Sequence, residues 1–417
     1  MISNRHMARC FALVSKLLAS RRVLSAAARV NDAMCGLSTE MKEFRAALHA
    51  FTAAEIDPLS ASIDSLDCLN DPKALWKKMG DMGLLGLTAP AQCIATEEIS
   101  RASGSIGLSY GAHSNLCVNQ LVRHASEKQA ERYLPGLISG DLIGALAMSE
   151  VDSGSDVVSM RTIAEPNGDH YILNGSKFWI TNGPDADVLI VYAKTDPKNP
   201  NPRHGISAFI VESSTPGFSV GKKIRKLGMR GSHTSEIIFD QCKIPASNLL
   251  GELNRGVYLL MSGLDIERLV LSAGPIGLMQ AACDVAFAYA QERQAFGTPI
   301  AEHGMIQAKM ADMYTQLQVS RVYTYSLAQT VDQVGPSAFG QKGGLMNIDC
   351  AAVILHNAEA ATKVALDAIQ ILGGNGYTED FPLSRILRDA KLYEIGAGTS
   401  EIRRLVIARG INSHYRC

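Results

Sequence analysis

The sequence has no C-x-x-C pair among its nine cysteines (10, 35, 68, 93, 117, 242, 283, 350 and 417), and its ten histidines form no closely spaced set with them. That argues against a zinc site or a disulfide scaffold and for reduced thiols in an intracellular compartment. An excess of charge of one sign is also missing. Forty basic against forty-one acidic residues give a formal net charge of -1, which leaves no electrostatic footprint for nucleic acid. The most apolar stretch, Leu271 to Ala290, is broken by Pro275, Gln280 and Asp284, so it reads as a buried helix and no membrane span is expected. No acidic residue occurs before Asp32, whereas Arg5, Arg9, Lys16, Arg21, Arg22 and Arg29 do. Arginines interrupting every apolar stretch leave no secretory h-region, so residues 1–31 read as a mitochondrial transit peptide, with a disordered basic arm as the alternative.

What is present is ordinary globular composition: 417 residues, 47% hydrophobic and 19% charged, enough for roughly two to three domains. From Thr39 to about Ala145 apolar residues recur at three and four, as in MKEFRAALHAF and ALWKKMGDMGLLG, and predict helices. Between about Ala147 and Pro245 the period falls to two. HYILNGSKFWI, read as a hairpin hinged on Asn174-Gly175, is followed by DVLIVYAKT, GISAFIVE and SEIIFD. After Gly256 long helical patterns return. The expected fold class is α+β: an N-terminal helical domain (38–145), a middle antiparallel β-domain (146–253) and a C-terminal four-helix bundle (254–417). Helix and strand do not alternate as in a doubly wound sheet.

Five segments carry candidate chemistry. Leu146 to Ser159 is rich in short hydrogen-bonding side chains and contains Gly154, which suits close approach of a ligand or an ordinary interdomain loop. Lys177 to Asn182 ends a strand with one of only two tryptophans, fitting either a flat heterocycle or the core. Gln370 to Tyr377 is glycine-rich without a preceding strand or G-x-G-x-x-G spacing, so a helix C-cap is its plain reading. Gly396 to Ser400 is a small-residue turn opening a helix, able to present N–H groups to an anion or to be a simple N-cap. The fifth is Glu267. On its helix it shares a face with Gly263, Leu264, Val270 and Leu271, none of them cationic, while Arg268 finds its partner in Asp265 three residues back. A carboxylate buried in that stripe has a raised pKa and suits proton abstraction; one at the stripe's edge reaches solvent.

AMSEVDSGSDVVS, and Gln370-x-x-Gly-Gly-x-Gly-Tyr with Asp380, Arg385 and Asp389, together resemble the two signatures of the acyl-CoA dehydrogenase family, in the family's order. The resemblance runs from about Met41 to the C-terminus. Through EISRASGSIGLSYGAHSNLC, FWITNGPDADVLIVYAKTD and DAKLYEIGAGTSE it is similar to the branch of that family that dehydrogenates isovaleryl-CoA to 3-methylcrotonyl-CoA in leucine catabolism. It implies an FAD enzyme of the mitochondrial matrix, a homotetramer, with electron transfer flavoprotein as acceptor. By the same resemblance FAD is contacted by Leu146, Ala147, Met148, Ser149, Glu150, Ser153, Gly154 and Ser155, by Trp179, Ile180 and Thr181, and by Thr399, Ser400 and Glu401. Arg293 with Gln370, Ile371, Leu372, Gly373 and Gly374 reach the FAD of a neighbouring subunit. The acyl-CoA substrate is held by Ser155, Tyr258, Asp265, Ile266, Glu267, Arg268, Ala397 and Gly398. Most relatives carry the catalytic carboxylate in a Tyr-Glu-Gly-Thr turn, here Gly396-Ala397-Gly398-Thr399, where Ala397 cannot take a proton. The isovaleryl branch resembles this chain in using the Glu of an Asp-x-Glu-Arg helix, Glu267, and the small Gly396 and Ala397 leave volume for a branched acyl group.

Two places depart from the family pattern. Gly304 stands where a glutamine contacts FAD, and TAPAQCIATEEIS, around Ala91 to Thr96, is shorter than in relatives. A different class is suggested by Gly107-Leu-Ser109-Tyr-Gly111, the spacing of a hydrolase nucleophile elbow, but a helical pattern precedes it where that motif needs a strand. The run Lys222, Lys223, Arg225, Lys226 suits CoA phosphates or plain solvation and stays outside the expected site.

Overall fold

The computed structural model describes residues 34–87, 89–335 and 345–415; the transit-peptide reading, residues 1–31, lies outside them. Helices α1 (Thr39–Glu55), α2 (Asp57–Leu66), α3 (Pro72–Asp81), α4 (Ala89–Ala102), α5 (Gly104–Gly111), α6 (Asn119–His124) and α7 (Glu127–Ser139) form the first layer. Local chemistry sets several of their starts. Ser38 caps α1 by accepting the Met41 amide at 3.2 Å, and Ser126 with Gln129 closes a reciprocal capping box on α7. Between α5 and α6 a π-helical turn, Ala112–Val118, carries buried His113, which accepts the Gly144 amide at 2.9 Å and meets the Leu137 carbonyl at 3.0 Å. One side chain thereby ties this helix to the first strand.

The sheet comprises β1 (Gly144–Ala147), β2 (Ile163–Asn167), β3 (His170–Thr181), β4 (Val188–Lys194), β5 (Ile206–Glu212), β6 (Phe218–Val220), β7 (Thr234–Pro245) and β8 (Leu249–Leu250), in the order β6-β7-β3-β2-β4-β5-β8, with β1 beside β4. Its long ladders are antiparallel, and β1 runs parallel to β4. The run VLIVYA of β4 is buried throughout because both faces are covered: Val188, Ile190 and Tyr192 pack toward Leu121, Leu137 and Leu260, and Leu189, Val191 and Ala193 toward Leu173 and Phe209.

The hairpin hinge expected at Asn174-Gly175 lies elsewhere. The β2–β3 turn is Gly168-Asp169, and β3 runs through Asn174-Gly175 with a shift of register against β7. Asn174 Oδ1 accepts the Gln241 amide at 2.8 Å, and Gly175 sits at φ 137° where a Cβ would stand 2.8 Å from Thr162 Cα. The dipeptide therefore serves a bulge, the other local structure that wants glycine.

The C-terminal part comprises α8 (Gly256–Leu271), α9 (Ala273–Glu292), the short β9 (Gln294–Ala295) and β10 (Thr298–Pro299), then α10 (Gly304–Val334), α11 (Leu345–Leu372), α12 (Leu383–Leu392) and α13 (Ser400–Tyr415). The run Gly256–Glu292 is long and apolar enough to cross a membrane, yet 83% of its most apolar window is buried in the protein. Gly274 and Gly277 explain the tight fit: a Cβ there would lie 2.1 Å from Tyr393 Oη and 2.2 Å from the Glu97 carbonyl. A buried ionic network locks α1, α4 and α10 together. Glu97 accepts Arg321 Nη2 at 2.8 Å and Tyr325 Oη at 2.6 Å and lies 3.0 Å from Arg45, while Arg45 also reaches Glu98 at 3.0 Å. Ser109 of the elbow-like motif is buried in α5, its carbonyl accepting Asn182 Nδ2 at 2.9 Å, so no strand–turn–helix elbow exists there.

Candidate active site

Glu267 stands in the middle of α8 and is 8% exposed. Its Oε2 has no hydrogen-bond partner among the described residues. Burial pushes its carboxyl up to about 7, against the pull of Arg268 and Arg403. The neighbouring charges are held elsewhere: Arg268 Nη1 bonds Asp265 Oδ1 at 2.8 Å, and Asn347 Nδ2 bonds Asp265 Oδ2 at 3.1 Å. Asp265 itself is pushed up to about 6 by burial, opposed by Arg268 and Arg123. The spacing of α8 thus does what its sequence implies, giving Arg268 to Asp265 and leaving Glu267 unpaired.

Arg403 of α13 is fully buried. Its Nη2 donates to the Gly396 carbonyl at 2.7 Å, which fastens α13 to the turn before it, while Nε and Nη1 have no partner among the described residues. Burial, then the nearby Arg268 charge, brings its pKa down to about 10. In the Gly396–Thr399 turn Ala397 and Gly398 are left-handed at φ 56° and 90°, and Thr399 caps α13 by accepting the Ile402 amide at 3.3 Å. A Cβ on Gly396 would meet nothing closer than the Leu392 carbonyl at 3.6 Å, an ordinary contact, so the position tolerates a side chain. Arg403 thus links this turn to the neighbourhood of Glu267, with two unused donors and one unused carboxylate oxygen among the described residues.

A second group forms at the end of the sheet. The Phe178 amide donates to the Ser149 carbonyl at 2.8 Å and Lys177 Nζ to the Met148 carbonyl at 3.1 Å, which brings the 146–155 segment against the end of β3. Trp179, at φ 65° and braced edge-on by Phe178 with centroids 5.0 Å apart, leaves its indole 57% exposed. A tryptophan this exposed, held in a left-handed backbone, is not core packing and leaves its aromatic face open. Glu150 is different from its neighbours: its carboxylate takes Lys177 Nζ at 2.8 Å, Thr162 Oγ1 at 2.6 Å and the Arg161 amide at 2.5 Å, so it is spent on holding the loop. Ser153 likewise bonds the Asp156 carbonyl at 2.5 Å, whereas Gly154 and Ser155 are exposed. Leu146, Ala147 and Ile180 are buried strand residues that can offer only backbone, and Thr181 is half-buried.

Family models for the N-terminal, middle and C-terminal domains of acyl-CoA dehydrogenase match residues 38–141, 145–242 and 254–412. The chain belongs to the acyl-CoA dehydrogenase family. It is 56% identical over 397 residues to a mitochondrial isovaleryl-CoA dehydrogenase of Pongo abelii, covering 93% of this chain and 92% of that protein. It is 51% identical over 389 residues to a mitochondrial 2-methylacyl-CoA dehydrogenase of Solanum tuberosum, covering 91% and 92%. A solved glutaryl-CoA dehydrogenase of Mycobacterium smegmatis, in complex with FADH2, superposes with a TM-score of 0.84 at 28% identity over 92% of this chain and 97% of that one. The helix–sheet–helix order and a flavin-dependent oxidoreductase activity follow from that membership.

The dehydrogenase places its remaining expected site residues in two further positions. Tyr258, near the start of α8, is 46% exposed, stacked on His204 with its hydroxyl 3.0 Å from the ring nitrogen, and Arg255 lies over its face at 4.2 Å. Arg293, Gln370, Gly373 and Gly374 are exposed on the β9–β10 segment and the end of α11, while Ile371 and Leu372 face inward. Gly304 opens α10 next to them with nothing within 4 Å of a Cβ, and Phe296 and Tyr377 nearby in sequence are 98% and 91% exposed. No contact joins this outward surface to Glu267 or Trp179 among the described hydrogen bonds. Glu401 is exposed and Ser400 is buried with its hydroxyl unpartnered among the described residues.

Sequence reasoning missed Arg403 and Asn115. Arg403 was visible only as half of an arginine pair, and nothing in the sequence tells which of the two turns inward. Asn115 lies on the π-helical turn packed against α8, 2% exposed with both side-chain polar atoms unpartnered among the described residues. A π-turn has no sequence signature, although such turns favour functional sites.

Proposed function

We propose that this flavoenzyme carries out FAD-dependent α,β-dehydrogenation of isovaleryl-CoA to 3-methylcrotonyl-CoA, with Glu267 as the base that removes the α-proton. The observation that carries it is Glu267's unpartnered, buried carboxylate, held at about 7 in a stripe without a bonded cation. A general base is most effective with a pKa near working pH, and an ordinary glutamate lies well below it. The turn that carries the carboxylate in most relatives here offers only Ala397 and Gly398, which supports assigning the role to α8.

The residues present fit a flavin. Trp179 offers an exposed aromatic face, Leu146 to Ser155 a loop with an open glycine, and Thr399 to Glu401 a helix start; these would hold FAD, and Arg293 with Gln370 to Gly374 would hold that of a neighbouring subunit in a homotetramer. FAD bound there supplies the acceptor for the β-hydride. On the protein side, Glu267 takes the α-proton and holds it at a carboxylate oxygen shielded from water. The Asp265–Arg268 bond keeps Arg268 from pairing with Glu267. The backbone N–H groups at Ala397 and Gly398, both left-handed residues, would serve the thioester oxygen on which charge develops. Tyr258 and Ser155 would contact the CoA moiety.

Substrate class and setting are inferred from the names of the relatives above. The isovaleryl relatives support a short acyl group branched at the β-carbon, and the small Gly396 and Ala397 would leave room for it. Location in the mitochondrial matrix and electron transfer flavoprotein as acceptor complete the proposal. A panel of isovaleryl-, 2-methylbutyryl- and butyryl-CoA with an artificial acceptor tests it: the highest kcat/KM is expected for isovaleryl-CoA, and preference for the straight chain would refute the substrate assignment.

A further inference from the structure

A second group of reactive side chains forms where the β-domain meets α2. Cys35, Cys93, Cys117, Cys242, Cys283 and Cys350 are buried, whereas Cys68, just past the end of α2, is only partly so. Its Sγ lies 3.4 Å from His233 Nε2, and His233 Nδ1 lies 2.7 Å from Asp185 Oδ2. The Leu69 amide donates to the same Nε2 at 3.2 Å. That bond makes Nε2 the acceptor of the neutral ring and puts the ring proton on Nδ1, facing Asp185. A thiol, an imidazole whose single acceptor lone pair is shared between that thiol and the Leu69 amide, and a carboxylate orienting the imidazole are the parts of an activated nucleophile. Asp185 also lines a cavity of about 580 Å³ with Lys73, Asp187 and Ser219.

The basic run left outside the dehydrogenase site lies against this group. Lys223 Nζ bonds the Asp67 carbonyl, and Arg225 Nε stands 3.9 Å from Asp67 Oδ2 with its side chain 92% exposed. Lys222 is exposed as well, and Lys226 is brought down to about 8 by burial and by the adjacent Lys223. The exposed cations of this run, Lys222 and Arg225, belong to a segment that contacts Asp67, the residue before the nucleophile, and suit a thioester whose leaving group carries phosphates.

We propose that Cys68, His233 and Asp185 form a thiol-acylation site that takes the acyl group from acyl-CoA thioesters, with Lys222 and Arg225 receiving the CoA phosphates. The choice of acyl-CoA as donor rests on the dehydrogenase reading. Cys68 Sγ attacks the thioester carbonyl as His233 takes its proton. The new S–C bond forms, the C–S bond to CoA breaks, and the CoA sulfur leaves with the proton returned by His233, so one thioester is exchanged for another without an oxidant or reductant. Proton uptake at Nε2 also releases the Leu69 amide. That amide follows the nucleophile directly, the position from which acyl-transfer sites donate to an oxyanion.

The flavin-loaded, assembled protein is incubated with isovaleryl-CoA, quenched in acid and read by intact mass and peptide mapping. One isovaleryl group is expected on Cys68, released by hydroxylamine and absent from Cys68→Ser, a variant that keeps dehydrogenase activity. His233→Asn should acylate roughly 10²-fold more slowly. Lys222→Gln with Arg225→Gln should slow transfer from isovaleryl-CoA but not from isovaleryl-N-acetylcysteamine, which lacks phosphates. Glu267→Gln should still be acylated, so wild-type protein that acylates Cys68 without dehydrogenating would sink the dehydrogenase reading alone. No adduct at Cys68, adducts scattered over lysines, or an unchanged rate in His233→Asn overturns the acylation site.

Discussion

Glu267→Gln is expected to make the protein more stable at alkaline pH while abolishing turnover, and the size of the gain follows from burial. The carboxyl moves from an ordinary 4.5 to about 7 on folding, because α8 and its neighbours strip it of water. At about 1.4 kcal/mol for each pH unit, the ionised form costs the folded state ~3 kcal/mol relative to the unfolded chain. The sign is that of an acid whose folded pKa is raised. Below about 4.5 the group is protonated in both states and costs nothing; the penalty grows as pH rises from 4.5 to about 7 and is full above it. Glutamine keeps the shape and never ionises. Denaturant melts of flavin-loaded wild-type and Glu267→Gln protein should therefore coincide near about pH 4 and separate by ~3 kcal/mol at about pH 8, the variant being the more stable. The same ionisation should appear in wild-type kcat/KM as an activity rising through about pH 7. A variant no more stable than wild type at alkaline pH would show that Glu267 is solvated or paired, and the argument for its role as base would fail.

Arg321→Met strands Glu97 beside Arg45 alone and should cost roughly 3–5 kcal/mol, read as a lowered Tm. Burial pushes Glu97 up, yet Arg45, Arg321 and the Tyr325 hydroxyl outweigh it and hold the carboxyl at about 2, so its contribution is present above about 4.5 and is lost as pH falls toward 2; Glu97→Gln should flatten that part of an acid-unfolding curve. Trp179→Ala removes a side chain that is 57% exposed, so flavin content should fall sharply while the melting of flavin-free protein shifts by less than about 0.5 kcal/mol; equal flavin retention would contradict its role in holding FAD. Gly396→Val adds methyl groups where a Cβ meets only ordinary contacts, so the protein should fold, with KM for isovaleryl-CoA rising more than KM for butyryl-CoA; an unchanged ratio would remove Gly396 from the acyl pocket.

The parts of this molecule legible in its sequence are those governed by local periodicity. The helix–strand–helix order shows in apolar spacing, and α8 reveals its carboxylate because the positions three and four residues away decide who can pair with Glu267. Where two local structures want the same residues, the sequence is ambiguous: Asn174-Gly175 serves a bulge because β3 must bend past Thr162, not because the dipeptide differs from a hairpin turn. Long-range pairing is harder still. Glu150 carries the look of a ligand-binding residue, yet Lys177 and Thr162, distant in sequence, claim its oxygens. Arg403 and Asn115 become visible only once α13 and the π-turn are packed beside α8. Cys68, His233 and Asp185 are likewise 165 and 48 residues apart in sequence steps and meet only in three dimensions.

The assignment of Glu267 is tested most directly by the anaerobic half-reaction. Wild-type protein with its yellow flavin bound should bleach on mixing with isovaleryl-CoA, and Glu267→Gln, carrying the same flavin content, should stay yellow or bleach roughly 10²–10⁴-fold more slowly. Bleaching of Glu267→Gln at the wild-type rate would contradict the account, because the α-proton would then have another acceptor.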